Sequence, residues 1–377
     1  MDAIRLETIH EITLSPKAMR AMNLRLERFE LLAIISGILR PFTTIDKNGR
    51  LQQHRTCKCL RTPRSKTIDV RKSHKNGLHY YGGLVICGLI WSCPICTTKV
   101  SAHRYKEISE AIAIWKRQNG CVTMVTFTIP HHPKNSCKSL LRVLKDARAS
   151  MKKHPSFKRL EREIQIKGDI TRTEVSYNVN GWHIHFHKLL FTDTEISVDL
   201  KSALFPIWLE SCKAAGIRYL SRDHCIDVSV PQDPAGYLVK QGKETGYQTY
   251  GRTLTQTKST SGGSPFDLIR LYRDTGEERF KDLFIEYERA FKGTQQLIWS
   301  RGFQKRLGMS KELKDSDAAR ALNKLDFLIA SIPLDLWSFI RLHNYRGMLL
   351  EAANLGTEVF SKAIDDLKAW MEDSEPS

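Results

Sequence analysis

Hydrophobic residues return along this chain with two different periods. Between Cys121 and Ile129 they alternate, with Val125, Phe127 and Ile129 on one side, and the β-branched content predicts a strand that Pro130 and Pro133 end. Asp169–Tyr177 is a second strand, and the turn-like Asn178-Val179-Asn180-Gly181 predicts a hairpin into a third. That third strand, Gly181–Phe191, reads Gly-Trp-His-Ile-His-Phe-His-Lys-Leu-Leu-Phe. Strand side chains alternate, so His183, His185 and His187 project from one face. Trp182, Ile184, Phe186 and Leu190 form the apolar opposite face. Cys225–Val230 is a shorter strand.

The helical period takes over elsewhere. Phe29, Leu32, Ile35 and Leu39 mark a weak helix that Pro41 breaks. Thr98–Gln118 is amphipathic, with Ile108, Ala111, Ile112 and Trp115 on one side and a stop at Asn119-Gly120. Ser136 is an N-cap for a basic helix carrying Leu140, Leu141, Val143, Leu144 and Ala147. Asp199–Ala215 is another helix. Asp233 is a cap and Pro234 a first helical residue, which places Tyr237 and Lys240 on one face of the helix that follows. Residues 242–263 are polar and rich in Gly, Ser and Thr, and predict a mobile loop. Pro265–Phe291 is largely helical, with Phe266, Leu268, Ile269, Leu283, Phe284 and Tyr287 as core candidates. From Arg306 to the end the chain reads as helical.

Composition narrows the class. The 377 residues are 41% hydrophobic, enough for a core, and carry a formal charge of +18 with a pI near 9.5. That excess favours a polyanionic partner, held through phosphate contacts and counterion release. The longest apolar run, Leu31–Leu39, is far short of the about 20 residues a membrane helix needs. No basic region precedes an apolar core at the N-terminus, so neither a secretion signal nor membrane insertion is expected. Nine cysteines, several at metal-type spacing, suit a reducing cytoplasm better than a disulfide scaffold.

Two groups of residues invite metal. Basic residues crowd residues 55–98, framed by Cys57-Lys-Cys59, Cys87 and Cys93-Pro-Ile-Cys96. A Cys-x-x-Cys knuckle brings two thiolates to one tetrahedral zinc; Cys87 with either Cys59 or Cys57 would complete it, and His79 is a substitute ligand. The rival readings are buried free thiols or a redox pair. The second group is the histidine strand, since alternate imidazoles on a strand lie close enough to share one ion. Glu174 lies on the hairpin partner, and a carboxylate there would suit magnesium or manganese as well as zinc.

From Cys57 to about Gly308 the chain resembles the HUH endonucleases, specifically the rolling-circle plasmid replication initiators. The motifs that carry the resemblance are Val125-Thr-Phe-Thr-Ile129, His185-Phe-His187 with Leu189-Leu190 after it, and Tyr237-Leu-Val-Lys240. Further similarity lies in Glu174-Val-Ser-Tyr, Asn180-Gly-Trp-His, Cys87-Gly-Leu-Ile-Trp-Ser-Cys93-Pro-Ile-Cys96, Ser264-Pro-Phe-Asp-Leu268, and Phe291 through Arg301-Gly. The resemblance implies an α+β fold in which helices flank a central antiparallel sheet, with a Cys-rich zinc module upstream and a helical C-terminal region. It implies His185, His187 and Glu174 as ligands of a catalytic magnesium or manganese, with His183 assisting. It implies Tyr237 as the nucleophile that forms a 5′-phosphotyrosine and leaves a 3′-hydroxyl primer, and Lys240 as a group that positions phosphate or stabilises phenolate. In some relatives the nucleophile lies four residues later, with a Glu at the earlier place; here the later place is Gln241. Tyr247, Tyr250 or a second protomer would then serve the closing step.

Together these readings divide the chain into an N-terminal helical arm (1–54), a Cys-rich basic zinc module (55–100; Cys59, Cys87, Cys93 and Cys96), a catalytic domain (101–308) and a helical tail (309–377). The function expected is a cytoplasmic plasmid initiator that binds duplex origin DNA, nicks one strand and later rejoins strands. Host helicase, single-strand-binding protein and a second copy of the chain are its candidate partners besides DNA. The rivals are a single-strand transposase or relaxase with the same core, a zinc-dependent DNA-binding regulator without catalysis, and a basic RNA-binding protein.

Overall fold

A computed structural model describes residues 14–238, 263–310, 313–320 and 326–373. It is α+β, and its contacts divide into two compact units. One comprises Met1–Thr97 and Lys314–Ser377; the other comprises Thr98–Leu313. The expected arm, Cys-rich stretch and tail therefore fall mainly in one unit. Among the described residues no helix is long and apolar enough to cross a membrane.

The strands, in chain order, are β1 (Thr44–Ile45), β2 (Leu51–Gln52), β3 (Thr67–Lys72), β4 (His79–Tyr81), β5 (Cys121–Thr128), β6 (Gly168–Asn178), β7 (Gly181–Thr192), β8 (Ile226–Ser229), β9 (Leu297–Trp299) and β10 (Phe327–Pro333). In the first unit β3 is the middle strand of a sheet ordered β10-β3-β4. β10 corrects the expectation of helix from Arg306 onward. Phe-Leu-Ile-Ala-Ser-Ile-Pro is short and apolar, and it pairs antiparallel with β3, more than 250 residues away in sequence. Helix Pro16–Leu39 buries Phe29, Leu31, Leu32, Ile35 and Leu39. Its Arg25 makes a two-pronged ion pair with Glu351 of helix Arg346–Leu355, with contacts of 2.7 and 2.6 Å.

The second unit is built on a five-stranded antiparallel sheet ordered β8-β5-β7-β6-β9, with the histidine strand β7 at its centre. The β6–β7 hairpin turns where expected. Asn180 N–H donates to Asn178 Oδ1 at 2.8 Å, and Gly181 takes φ +89°. A Cβ at Gly181 would also sit 2.8 Å from Pro133 Cα, so only glycine fits there.

The apolar face of β7 is the buried one. Trp182, Ile184, Phe186 and Leu190 are 1–3% exposed. Phe127 of β5 stacks on Phe186 at 4.8 Å, and Trp208 of helix Leu200–Ala214 meets both edge-on while donating to Thr128 O at 3.2 Å. Each such side chain contributes about 1.5–3 kcal/mol on leaving water. Helix Cys137–Lys153, capped by Ser136 as expected, covers the same face with Leu140, Leu141, Leu144 and Ala147. Lys188, on this face too, is 2% exposed and pairs with Asp169 at 2.6 Å.

An apolar cluster roofs the histidine face at one end. Leu189 and Phe191 continue the histidine row and join an apolar cluster with Val122, Met124 and Ile170 from the neighbouring strands. Ile108, Ala111, Ile112 and Trp115 of helix Pro94–Arg117 close over that cluster, as their spacing predicts. His183, His185 and His187 lie along β7 toward the hairpin from it.

Candidate metal centres

Strand register decides what surrounds the histidines. On one side β6 sets Glu174 opposite His185 and Arg172 opposite His187. On the other, β5 sets Thr128 opposite His185 and Thr126 opposite His187. Three donor atoms converge. His185 Nε2 lies 3.0 Å from His187 Nε2, and Glu174 Oε2 lies 2.9 Å from His187 Nε2 and 3.6 Å from His185 Nε2. Two ligands at right angles on a cation bound at about 2.1 Å are roughly 3 Å apart, so these separations fit one shared ion. His185 Nδ1 is buried with no hydrogen-bond partner. The three residues could hold a divalent cation while leaving coordination positions open.

The electrostatics agree with that use. Burial pushes the Glu174 carboxyl up, but hydrogen bonds from His185 and His187 and the charges of His185 and Arg172 hold it well below the ordinary carboxylate range. Burial lowers His187, against the pull of Glu174, and brings His183 down to about 3 with help from the neighbouring imidazoles. Neutral imidazole is the form that binds metal. Burial lowers Arg172 to about 10, and Glu174 acts in the opposite direction. His183 stands outside the convergent trio, its ring 4.8 Å from those of His131 and His185.

Thr126, Arg172 and His131 are the site residues that sequence reading missed. Thr126 Oγ1 lies 2.9 Å from His187 Nδ1, which leaves Nε2 to face Glu174. Such partners fix tautomer and ring orientation, and losing one typically costs 10–100-fold in metal affinity. Thr126→Val, which keeps the shape, should therefore weaken manganese binding by about that factor, while Thr126→Ser should restore it. A manganese titration reads this directly; unchanged affinity in the valine variant would remove Thr126 from the site.

The helix expected after Asp233 forms over Pro234–Leu238. Gly236 N–H donates to Asp233 Oδ1 at 2.8 Å, and a Cβ on Gly236 would lie 2.0 Å from Asp233 Oδ2. Ala235 and Leu238, 2% and 0% exposed, enter the apolar cluster with Leu189 and Phe191. The helix backbone that carries Tyr237 thus packs on the histidine face of the sheet. The Tyr237 side chain, Lys240, Gln241, Tyr247, Tyr250 and residues 242–262 lie outside the described residues.

The first unit holds a second cluster. Cys59, Cys87, Cys93 and Cys96 are 0–1% exposed, and their sulfurs approach at 3.5–3.6 Å. A disulfide needs about 2.05 Å, so these are thiols, whereas ligands on tetrahedral zinc stand about 3.8 Å apart. The choice left open by spacing falls to Cys59, because Cys57 Sγ donates instead to Ser36 O at 3.4 Å. His79 is engaged with Asn354 Oδ1 at 3.0 Å. Backbone N–H groups of Cys87 and Gly88 point at the sulfurs of Cys59 and Cys96 at 3.4 and 3.3 Å. Burial pushes Cys87 and Cys93 up, while hydrogen bonds from the other three thiols hold Cys96 well below the ordinary thiol range. Behind them lies Arg346, 0% exposed, which donates to Leu60 O at 2.9 Å. Burial brings its guanidinium down to about 10, and Cys59 and Cys93 oppose that shift. The four thiols could hold zinc, whose excess thiolate charge Arg346 would partly balance.

The fold and sites together define an α+β protein with a buried four-cysteine cluster in one unit and a Glu-His-His cluster on the central strands of an antiparallel sheet in the other. Among known proteins it is similar to "Protein rep" of Streptomyces lividans, 25% identical over 319 residues, which covers 66% of this chain and 68% of that protein. It is also similar to "Neomycin resistance protein" of Streptomyces cyanogenus, 31% identical over 133 residues, covering 29% of this chain and 30% of that one. No family model matches the chain, and no solved structure matches it.

Proposed function

We propose that this chain is a metal-dependent HUH nickase that initiates rolling-circle replication of a plasmid. One observation carries the reading: Glu174, His185 and His187 converge on the sheet face against which the helix bearing Tyr237 packs. Similarity to a protein named rep supports a role in plasmid replication, and the +18 charge supports DNA as the partner. A bound magnesium or manganese would polarise the scissile phosphoryl group and offset the charge that builds on its oxygens. Glu174, His185 and His187 would hold it, with Thr126 fixing the His187 ring. The Tyr237 phenolate attacks phosphorus as the P–O3′ bond breaks, and the leaving oxygen takes a proton to become the 3′-hydroxyl primer. Lys240 stabilises the phenolate before attack. Attack of a 3′-hydroxyl on the phosphotyrosine reverses the bond changes and rejoins strands. The basic Cys-rich unit grips duplex phosphates, and Cys59, Cys87, Cys93 and Cys96 would hold a zinc ion that ties that unit together.

The test is incubation with a labelled single-stranded origin oligonucleotide and manganese. A covalent adduct is expected that chelator prevents and that Tyr237→Phe reduces by about 10³-fold or more, with binding kept. An adduct that persists in the phenylalanine variant would move the nucleophile elsewhere. DNA binding with no adduct under any metal would instead favour a zinc-dependent regulator.

A further inference from the structure

In the first unit β1 and β2 form a two-stranded ribbon apart from the sheet of β3. Thr44 pairs with Gln52 and Ile45 with Leu51. So short a ribbon is marginal in water by itself, and this one is held by a single carboxylate at its turn. Asp46 Oδ1 accepts from the backbone N–H groups of Asn48 and Arg50, both at 2.9 Å, and Oδ2 accepts from Gln52 Nε2 at 3.1 Å. Asp46 N–H donates to Arg50 O at 2.9 Å, Gly49 N–H donates to Asp46 O at 3.0 Å, and Gly49 takes φ +76°. A left-handed glycine at that place gives the loop Lys47-Asn48-Gly49 a fixed shape. The root is fixed too: Lys58 Nζ, at the end of helix Arg55–Lys58 and next to Cys59, donates to Gln52 Oε1 at 2.9 Å.

This rigid frame presents side chains that water alone does not explain. Ile45 and Leu51 are 72% and 70% exposed. As register partners they share one face of the ribbon, with Cβ atoms about 5 Å apart, and so make one apolar patch. Lys47 and Arg50 stand exposed on the turn between them, and neither has an ion pair among the described residues. Cations beside an apolar wedge suit duplex DNA: the cations meet phosphates, and the apolar side chains enter between base pairs and unstack them. A second copy of the chain suits the patch less well, because like charges would meet around it. We propose that the β1–β2 hairpin is a wedge for duplex DNA, with Lys47 and Arg50 on backbone phosphates and Ile45 and Leu51 inserted at a base step. An unstacked step is the beginning of the unpaired strand that a nickase cuts. That role rests on the initiator reading above; the contact with DNA needs only the hairpin.

The experiment uses the full chain loaded with zinc and a short duplex of arbitrary sequence, rich in the TA steps that unstack most easily, with 2-aminopurine at one of them. Anisotropy gives the affinity across a range of NaCl concentrations, and 2-aminopurine fluorescence reports unstacking. Wild-type binding should raise the fluorescence. Lys47→Gln with Arg50→Gln should lower the slope of log K against log salt by about 2. Ile45→Ser with Leu51→Ser should keep the slope and abolish the rise. All four side chains are exposed, so zinc content and melting temperature should stay at wild-type values in both variants. An unchanged slope in the first variant would overturn the contact with DNA. A rise that persists in the DNA-saturated serine variant, or no rise in the wild type, would overturn the wedge. Self-association of the wild type that the serine pair abolishes, with the salt slope unmoved in the first variant, would give the patch to a second copy instead. Failure of the wild type to form an adduct with the oligonucleotide, with slope and fluorescence as expected, would sink the nickase reading and leave the hairpin standing. Metal-dependent adduct formation with both readouts unmoved would do the reverse.

Discussion

Truncating His185 to alanine should slow metal-dependent strand cleavage by about 10³-fold, a loss of roughly 4 kcal/mol of transition-state stabilisation. The reasoning begins with the register that places His185 opposite Glu174 and two residues from His187. Three donors within about one ligand-to-ligand distance of each other hold a cation by sharing it. Removing one leaves Glu174 and His187 with a contact of 2.9 Å that a proton satisfies as well as a metal does. His185 is the better target because its side chain is 13% exposed against 3% for His187, so truncation leaves the smaller void. The fold should lose about 1 kcal/mol at most, within the ordinary range for such a change. Manganese titration should show weaker binding, and excess manganese should recover part of the activity, which a defect of folding would not allow. Cleavage and manganese affinity both at wild-type levels would take His185 out of the metal site.

The two-residue period was legible wherever a strand has one polar and one apolar face. It placed three histidines together and buried Trp182, Ile184 and Phe186, because each depends only on neighbours along one strand. What crosses between strands was not legible to the same degree. Glu174 was within reach through its hairpin, whose turn sets the register. Thr126 was not, because β5 and β7 are separated by two helices and the strand β6, and their pairing is no property of either segment. Lys188 shows the limit within one strand: its place on the buried face was readable, but the partner that makes burial tolerable, Asp169, lies on the next strand. β10 is the longest reach of all, since a short apolar run becomes strand or helix according to whether an edge such as β3 is free to pair. The cysteines divide in the same way. Spacing identified the knuckle Cys93–Cys96, yet only the packing of Cys57 against the end of helix Pro16–Leu39 shows why Cys59 is the sulfur that faces it.

That last distinction gives the sharpest prediction about stability. Purified protein should carry one zinc per chain in the first unit, and Cys93→Ser should lose it together with the fold of that unit. Four sulfurs at 3.5–3.6 Å, all buried, make contradictory demands on protons: burial keeps Cys87 and Cys93 protonated, while the other thiols draw Cys96 toward thiolate. A divalent cation would resolve the conflict by displacing the protons, and Arg346 and the N–H groups of Cys87 and Gly88 would meet the charge that remains. Structural zinc contributes on the order of 10 kcal/mol to folding, comparable with the whole stability of a domain, so its loss should leave the unit open to protease. Cys57→Ser is the control. Its sulfur points at Ser36 O and not at the cluster, so that variant should keep its zinc and its protease resistance. Full zinc occupancy in Cys93→Ser, or loss of zinc in Cys57→Ser, would mean the four thiols are packed for some other purpose. The two variants differ by one sulfur each in a chain of nine cysteines, so general thiol chemistry cannot produce opposite outcomes in them; only a tetrahedral site that contains one and excludes the other can.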